Sequence, residues 1–357
     1  MKPKLHWSLK ESWRRMIESI APILQIVLGA SSGYAIAHFG LGHAIPLLAV
    51  TVTITALGFS RDARPRRVLQ TAVGMVLGIA LSEIMLQILG PGIWQIAVVL
   101  SIALLGARFI SGSATFALTV GLQAVLVQML PAPEGGVFVR SIDGLIGGLT
   151  ALAVTALIPR DPRGLARTDA GRLFDVFLDS LDALKLALRD VNLEVADDTL
   201  RQVRRTQPLV DNWRMSLDSA ISIARISPFL RKYRDELIGQ VRLMRGMDLA
   251  TRNLRVVVRR VDFLIRDNQP RPYLADLMEQ IADATRVLAR GITEPEVLDD
   301  AQEMLVAVIQ QLDPKRHGIA DQVREASVLL LLRPLLVDLL CASGMSEEDA
   351  RAELPAI

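Results

Sequence analysis

The sequence predicts an all-α protein: a six-helix transmembrane bundle built as a 3+3 inverted repeat, followed by a cytoplasmic α-helical domain. Three observations predict it. Charge is split along the 357 residues: from Val68 to Ile158 only five are charged, namely Glu83, Arg108, Glu134, Arg140 and Asp143, whereas charges recur every few residues beyond Pro159. Six apolar segments fill the first part, most of them approaching the ~17–25 residues that cross ~30 Å of hydrocarbon. Beyond Thr168, apolar residues recur every three to four positions, the period of a helix with one buried face. The expected divisions are a cytoplasmic N-terminal segment over 1–20, a membrane domain over 21–159 and a cytoplasmic domain over 160–357.

The spans read in order as 21–39, 44–59, 68–89, 93–110, 114–130 and 142–158, the second of them short. Turn residues separate them at 40–43, 61–67, 90–92, 111–113 and 131–136. The basic N-terminus and Ala35-Ile36-Ala37 have the look of a cleavable signal, but five further apolar segments and the length of the first run favour a retained span. Basic residues then sort by side. Lys2, Lys4, Lys10, Arg14 and Arg15 precede span one, and Arg61, Arg64, Arg66 and Arg67 lie between spans two and three. Arg108 ends span four, and Arg160, Arg163 and Arg167 follow span six. All fall on one side, and the other side carries Arg140 alone. Basic loops stay inside, so both termini are expected in the cytoplasm of a multi-pass plasma-membrane protein.

An offset of 70 aligns Ala37-His-Phe39 with Ala107-Arg-Phe109, Gly42 with Gly112, Ala44 with Ala114 and Leu48 with Leu118. An offset of 73 then aligns Arg67 with Arg140 and Gly74 with Gly147. Each copy has an odd number of spans, so the copies point in opposite directions, a transporter build with its site near the midplane. Spans two and five match in position and are among the shortest. They carry Thr51, Thr53 and Thr55, and Thr115, Thr119, Gln123 and Gln128. Such residues suit a binding site, or equally bond to their own helix carbonyls.

The expected pathway gathers Thr53, Thr55 and Gln123 with Arg67 and Gln70, which open span three, and Arg140 and Asp143, which open span six. Guanidinium grips a carboxylate through two parallel bonds, so the arginines suit an anionic substrate. For Arg67, in a basic loop, snorkelling at the interface is the better account. Glu83 and Asp143 are the candidates for proton coupling, because a carboxylate at membrane depth is costly and marks a pathway. An ion pair or an interfacial place is the other reading of Glu83. His38 and His43 are titratable groups or plain interface anchors. Gly74 with Gly78, and Gly144 with Gly148, read as close helix packing.

In the second part, helices are expected over about 169–190, 197–225, 228–267, 273–290, 294–312 and 319–341, the third breaking near Gly239 or Gly246. Arg245, Arg252, Arg255, Arg259, Arg260 and Arg266 surround an apolar stripe. They make a surface for anionic lipid, or a solvated face paired with Asp248 and Asp262. The run 328–340 reads as too short and too charged to span, hence a buried helix or a dimer contact. A net charge of +2 and 4% aromatic residues give nucleic acid little to bind. Cys341 is the only cysteine, so no internal disulfide forms. No phosphate-cradling loop, zinc spacing or Ser-His-Asp arrangement is present, so neither an enzyme nor a cofactor is expected.

Pro46-Leu-Leu-Ala-Val-Thr-Val-Thr53, Arg61-Asp-Ala-Arg-Pro-Arg-Arg-Val68, Phe138-Val-Arg-Ser-Ile-Asp-Gly-Leu-Ile-Gly147 and Ala156-Leu-Ile-Pro-Arg-Asp-Pro162 resemble the fusaric-acid-resistance-like (FUSC) family, which is related to bacterial aromatic acid exporters. Pro228-Phe-Leu-Arg231 and Met247-Asp-Leu-Ala-Thr-Arg-Asn-Leu-Arg255 are similar to its cytoplasmic portion. The resemblance implies efflux of small organic carboxylic acids, aromatic ones among them, driven by the proton gradient. The architecture is also similar to plant aluminium-activated malate transporters, dimeric anion channels, which implies a homodimer set among membrane lipids. An anion channel and a non-transporting scaffold or sensor are the alternatives.

Overall fold

Long apolar runs bounded by proline and glycine fold as helices, and no strand occurs among the described residues. The computed structural model describes residues 9–59, 65–131, 136–158, 162–227, 230–319 and 322–356. Lys2, Lys4, Arg61, Arg64, Glu134, Arg160 and Pro228, all weighed above, lie outside them. The chain forms two compact units, 1–160 with 222–232, and 161–221 with 233–357.

In the first unit, α1 (Leu9–Ala35) runs on into a π-helical turn, Ile36–Gly40. It is followed by α2 (Leu47–Leu57), α3 (Pro65–Leu89), α4 (Ile93–Ile110), α5 (Ala114–Met129) and α6 (Val139–Leu157). The segments Ser19–Gly40, Pro65–Leu89, Ile93–Ile110 and Val139–Leu157 are long and apolar enough to cross a membrane. Helices α2 and α5 are not. Expected as spans of 44–59 and 114–130, they have 11 and 16 helical residues. At 1.5 Å per residue that is about 16 and 24 Å, short of the ~30 Å apolar layer. Pro46 sits at the front of α2, and Gly58, at φ +47°, ends it in a conformation that favours glycine. Residues 42–46 therefore approach α2 as non-helical chain.

Small residues set the packing. Helices α3 and α6 cross antiparallel, with Gly144 against Val76 and Ile79 and Gly148 against Ala72. Gly147 lies on the α2 backbone, where an added Cβ would stand 2.4 Å from Ala49 O. Thr53 Oγ1 donates to Gly147 O across the same contact, at 3.0 Å. Helix α5 packs on α3, where Ser82 Oγ donates to Ala124 O at 2.7 Å. The outer surface is apolar, with Ile93 90% and Phe109 94% exposed, as suits contact with lipid.

The remaining helices are α7 (Pro162–Asp190), α8 (Leu193–Val203), α9 (Gln207–Ile226), α10 (Arg234–Leu264), α11 (Pro272–Arg290), α12 (Leu298–Ile309), α13 (Val323–Ser343) and α14 (Glu347–Ala352). Trp213, Phe174 and Phe177 fill the core of the second unit. The helix expected over 197–225 is two helices, because Pro208 opens α9 and cannot continue α8. Helix α10 does not break at Gly239 or Gly246. Gly246 instead lets α10 close on α13, where an added Cβ would meet Ala342 Cβ at 2.5 Å. Helix α13 has 21 residues and meets the length and apolarity of a membrane span, against the expectation of a short run. Leu329, Leu332, Leu336 and Leu340 are fully buried in it, so its apolar side is taken up within the unit. The arginines of α10 and of the turn after it are largely engaged: Arg252 with Asp248, Arg260 with Ser327, and Arg266 with Asp262.

Candidate functional site

The π-helical turn widens the end of α1 and carries His38, whose Nδ1 lies 2.8 Å from His43 O. Single π turns inside α-helices often accompany functional sites. Here the contact steadies the non-helical chain that bears His43. The His43 ring in turn reaches α6, its Nδ1 2.5 Å from Asp143 Oδ1. Asp143 is only 3% exposed.

Arg140 lies one turn before Asp143 on the same face of α6 and is 5% exposed. Its guanidinium donates to Val127 O at 2.8 Å, Leu130 O at 2.9 Å and Pro131 O at 2.5 Å. These carbonyls end α5, where a helix has unpaired acceptors and partial negative charge. Glu83, from α3, serves the opposite pole at the start of α6. Its carboxylate accepts from Arg140 N at 3.3 Å, Ser141 N at 3.1 Å and Ser141 Oγ at 2.5 Å. A basic and an acidic side chain thus each hold a helix end of the opposite polarity.

His43, Arg140 and Asp143 line a cavity of about 250 Å³, together with Leu48 and Pro131 among others. Leu47 and Val139, the first residues of α2 and α6, also line it. Neither Pro46 nor Phe138 caps its helix through a side chain. The α2 N-terminus therefore adds partial positive charge beside Arg140 and His43, whereas the first amides of α6 are held by Glu83. The arrangement is chemically suited to a small anion. A wider groove of about 490 Å³ on the second unit has Arg201 on its wall, but Asp197 and Asp198 already hold that arginine.

The other expected site residues lie elsewhere. Gln123 Nε2 donates to Thr51 Oγ1 at 3.2 Å, joining α5 to α2 at a buried point. Thr53 bonds Ala49 O and Gly147 O, and Thr55 bonds Thr51 O, so both serve the backbone. Arg67 and Gln70 stand in the first turns of α3; Gln70 is thirteen residues, or about 20 Å, along the helix from Glu83. The structure thus brings together Arg140 and Asp143 and adds His43 to them. The sequence signal for His43 was its place beside the Pro46 break ahead of a short helix. No cluster of metal-ligating side chains occurs among the described residues.

Residues 23–154, which include all the cavity residues named, match the family described as fusaric acid resistance protein-like. An uncharacterized protein of Corynebacterium glutamicum is 30% identical over 361 residues, covering 98% of this chain and 92% of that one. A protein of Mycobacterium tuberculosis described as "Putative arylamide transporter" is 30% identical over 155 residues, which are 42% of this chain and 44% of its own length. A protein of Mycobacterium bovis with the same description matches to the same extent.

Proposed function

Because the chain belongs to the fusaric acid resistance protein-like family and carries several membrane-length apolar helices, we propose that this multi-pass membrane protein exports small organic carboxylates, aromatic ones among them, through the cavity at the start of α2 and α6. One observation carries the reading: Arg140, His43 and the N-terminus of α2 converge on one cavity. At about 250 Å³ the cavity is below the ~300–1,000 Å³ usual for drug-sized ligands, which fits a small acid. The description of the mycobacterial relatives extends the candidate class to aromatic amides.

The two-triplet reading of the bundle supports a transporter. Helix α1 packs on α2 as α4 packs on α5; α2 packs on α6 as α5 packs on α3; α1 packs on α6 as α4 packs on α3. Exchanging the triplets preserves these neighbours, and the short helices α2 and α5 exchange with each other. Broken or short helices at matching positions are where transporters of inverted-repeat build bind substrate. By the distribution of arginines, the cavity end faces outward and the second unit lies in the cytoplasm.

The test is efflux of 4-hydroxybenzoate from proteoliposomes, with protein-free vesicles as the baseline. Protein-dependent efflux that drops at least tenfold in R140A is expected. Efflux equal to the baseline for a panel of aromatic and aliphatic acids overturns the reading.

A further inference from the structure

Resting on the anion-transport reading, we infer that the His43–Asp143 pair takes up one proton with each anion entering the cavity, so that proton and anion cross in the same direction. The argument begins with charge. Asp143 puts a carboxyl group in the cavity wall, almost wholly removed from solvent. A substrate carboxylate must bind beside it. Two unit charges about 6 Å apart, at an effective dielectric of about 20, weaken binding about 100-fold.

The neighbours relieve this only in part. Arg140 of α6 is tied to the α5 carbonyls, and Glu83 of α3 to the α6 amides. His38, on the π turn, touches the His43 carbonyl. Helices α2 and α5 bear no ionisable side chain. Glu83 is within electrostatic reach of Asp143 and adds to the negative side. One guanidinium and two carboxyl side chains, Arg140 against Glu83 and Asp143, thus stand at the site, and an anion alone would add a third acidic group. One proton offsets the anion.

The pair is built to receive that proton. Nδ1 and Oδ1 are 2.5 Å apart, and His43 and Asp143 both line the cavity. Water on the entry side supplies the proton to the imidazole or the carboxylate, and it leaves with the anion on the other side. No other bond changes. For a monovalent acid the cycle moves no net charge. An inward proton gradient then opposes export, which runs down the acid's own gradient. This sign is opposite to the proton-driven export that the family resemblance implies.

The test uses proteoliposomes loaded with a pH-sensitive dye, an inward gradient of 4-hydroxybenzoate, and a potential clamped by potassium and valinomycin. The leak of protonated acid in protein-free vesicles is subtracted. Lumen acidification matching anion entry one to one, at a rate indifferent to the clamped potential, is expected. D143N should lose the matching proton and become sensitive to potential; if D143N carries no anion, H43Q is read by the same ratio. Lumen alkalinisation, or anion entry without a pH change, overturns the coupling and leaves anion transport standing. One-to-one acidification retained in D143N or H43Q overturns the assignment to this pair. No protein-dependent flux of this or other aromatic acids overturns both readings.

Discussion

Gln25 and Gln95, seventy residues apart, send their side-chain amides to the ends of two different helices. Gln25 Nε2, on α1, donates to Ile158 O just past α6 at 3.0 Å, and Gln95 Nε2, on α4, donates to Leu89 O at the end of α3 at 3.2 Å. Both are buried. Since α3 and α6 run antiparallel, the two contacts stand at opposite ends of the bundle. Replacing either glutamine with leucine strands a helix-end carbonyl in an apolar surround and should cost about 1 kcal/mol. Sites this far apart should add in the double variant. Thermal unfolding in detergent checks it; a loss at one site only would count against their equivalence.

That pair also marks what could be read without coordinates. Gln25 and Gln95 fall on the same offset of 70 that aligns Gly42 with Gly112, so the spacing of the two was legible from residues alone. The helices of the first unit were legible because apolar runs between turn residues leave few alternatives. The shortness of α2 was signalled by Pro46 and Gly58. The His43–Asp143 contact was not, because it joins residues 100 apart in sequence and depends on how α2 meets α6. The division between α8 and α9 was available in Pro208, which the apolar periodicity outweighed.

Glu83 holds the start of α6 by its contacts. Its carboxylate accepts two backbone amides and a hydroxyl at the first turn of α6. Glutamine keeps an acceptor there but loses the charge that favours a helix N-terminus, whereas alanine loses both. E83Q should lower stability by roughly 0.5–1 kcal/mol and E83A by roughly 1–2 kcal/mol. The proton-to-anion ratio should be unchanged in E83Q. A changed ratio would return Glu83 to the proton path.

Glycines in the bundle differ in what they permit. At Gly147 a methyl group would meet the Ala49 backbone, with the oxygen at 2.4 Å and the carbonyl carbon at 3.1 Å, so α2 and α6 must part. The Thr53 bond to Gly147 O would lengthen with them. G147A should therefore destabilise the first unit by about 1–3 kcal/mol, the usual cost of overpacking. Gly239, in α10, has open space around its Cβ position. There G239A should stabilise by roughly 0.5–1 kcal/mol through helix propensity alone. Opposite shifts in unfolding temperature are the expected result.

The second unit has an acid-sensitive joint. Arg271, itself buried, grips Asp267 through Nη1 at 2.6 Å and Nη2 at 2.5 Å, and bonds Glu325 through Nε at 3.1 Å. These contacts, above all the Arg271 hydrogen bonds, bring the Asp267 carboxyl down to about 2 from 3.8. The folded state thus holds the proton less tightly than the unfolded chain. The stability contributed is present above about pH 4 and is lost as pH falls toward about 2. Acid titration followed by tryptophan fluorescence, with Trp213 reporting the core, should show D267N losing this dependence. R271K keeps the charge but not the planar fork, and should unfold at higher pH than the parent.

Arg140 has two duties that substitution can separate. It bonds three carbonyls at the end of α5, and its charge faces a cavity suited to an anion. Lysine preserves the charge but has no fork to reach three acceptors, whereas alanine removes both. R140K and R140A should both lower the unfolding temperature of the unliganded protein. Only R140K should retain a stabilising shift when 4-hydroxybenzoate is added, because a ligand that binds the folded state alone raises the unfolding temperature by mass action. An equal shift in R140A and the parent would mean that the anion binds elsewhere, and that Arg140 serves only to hold α5 against α6.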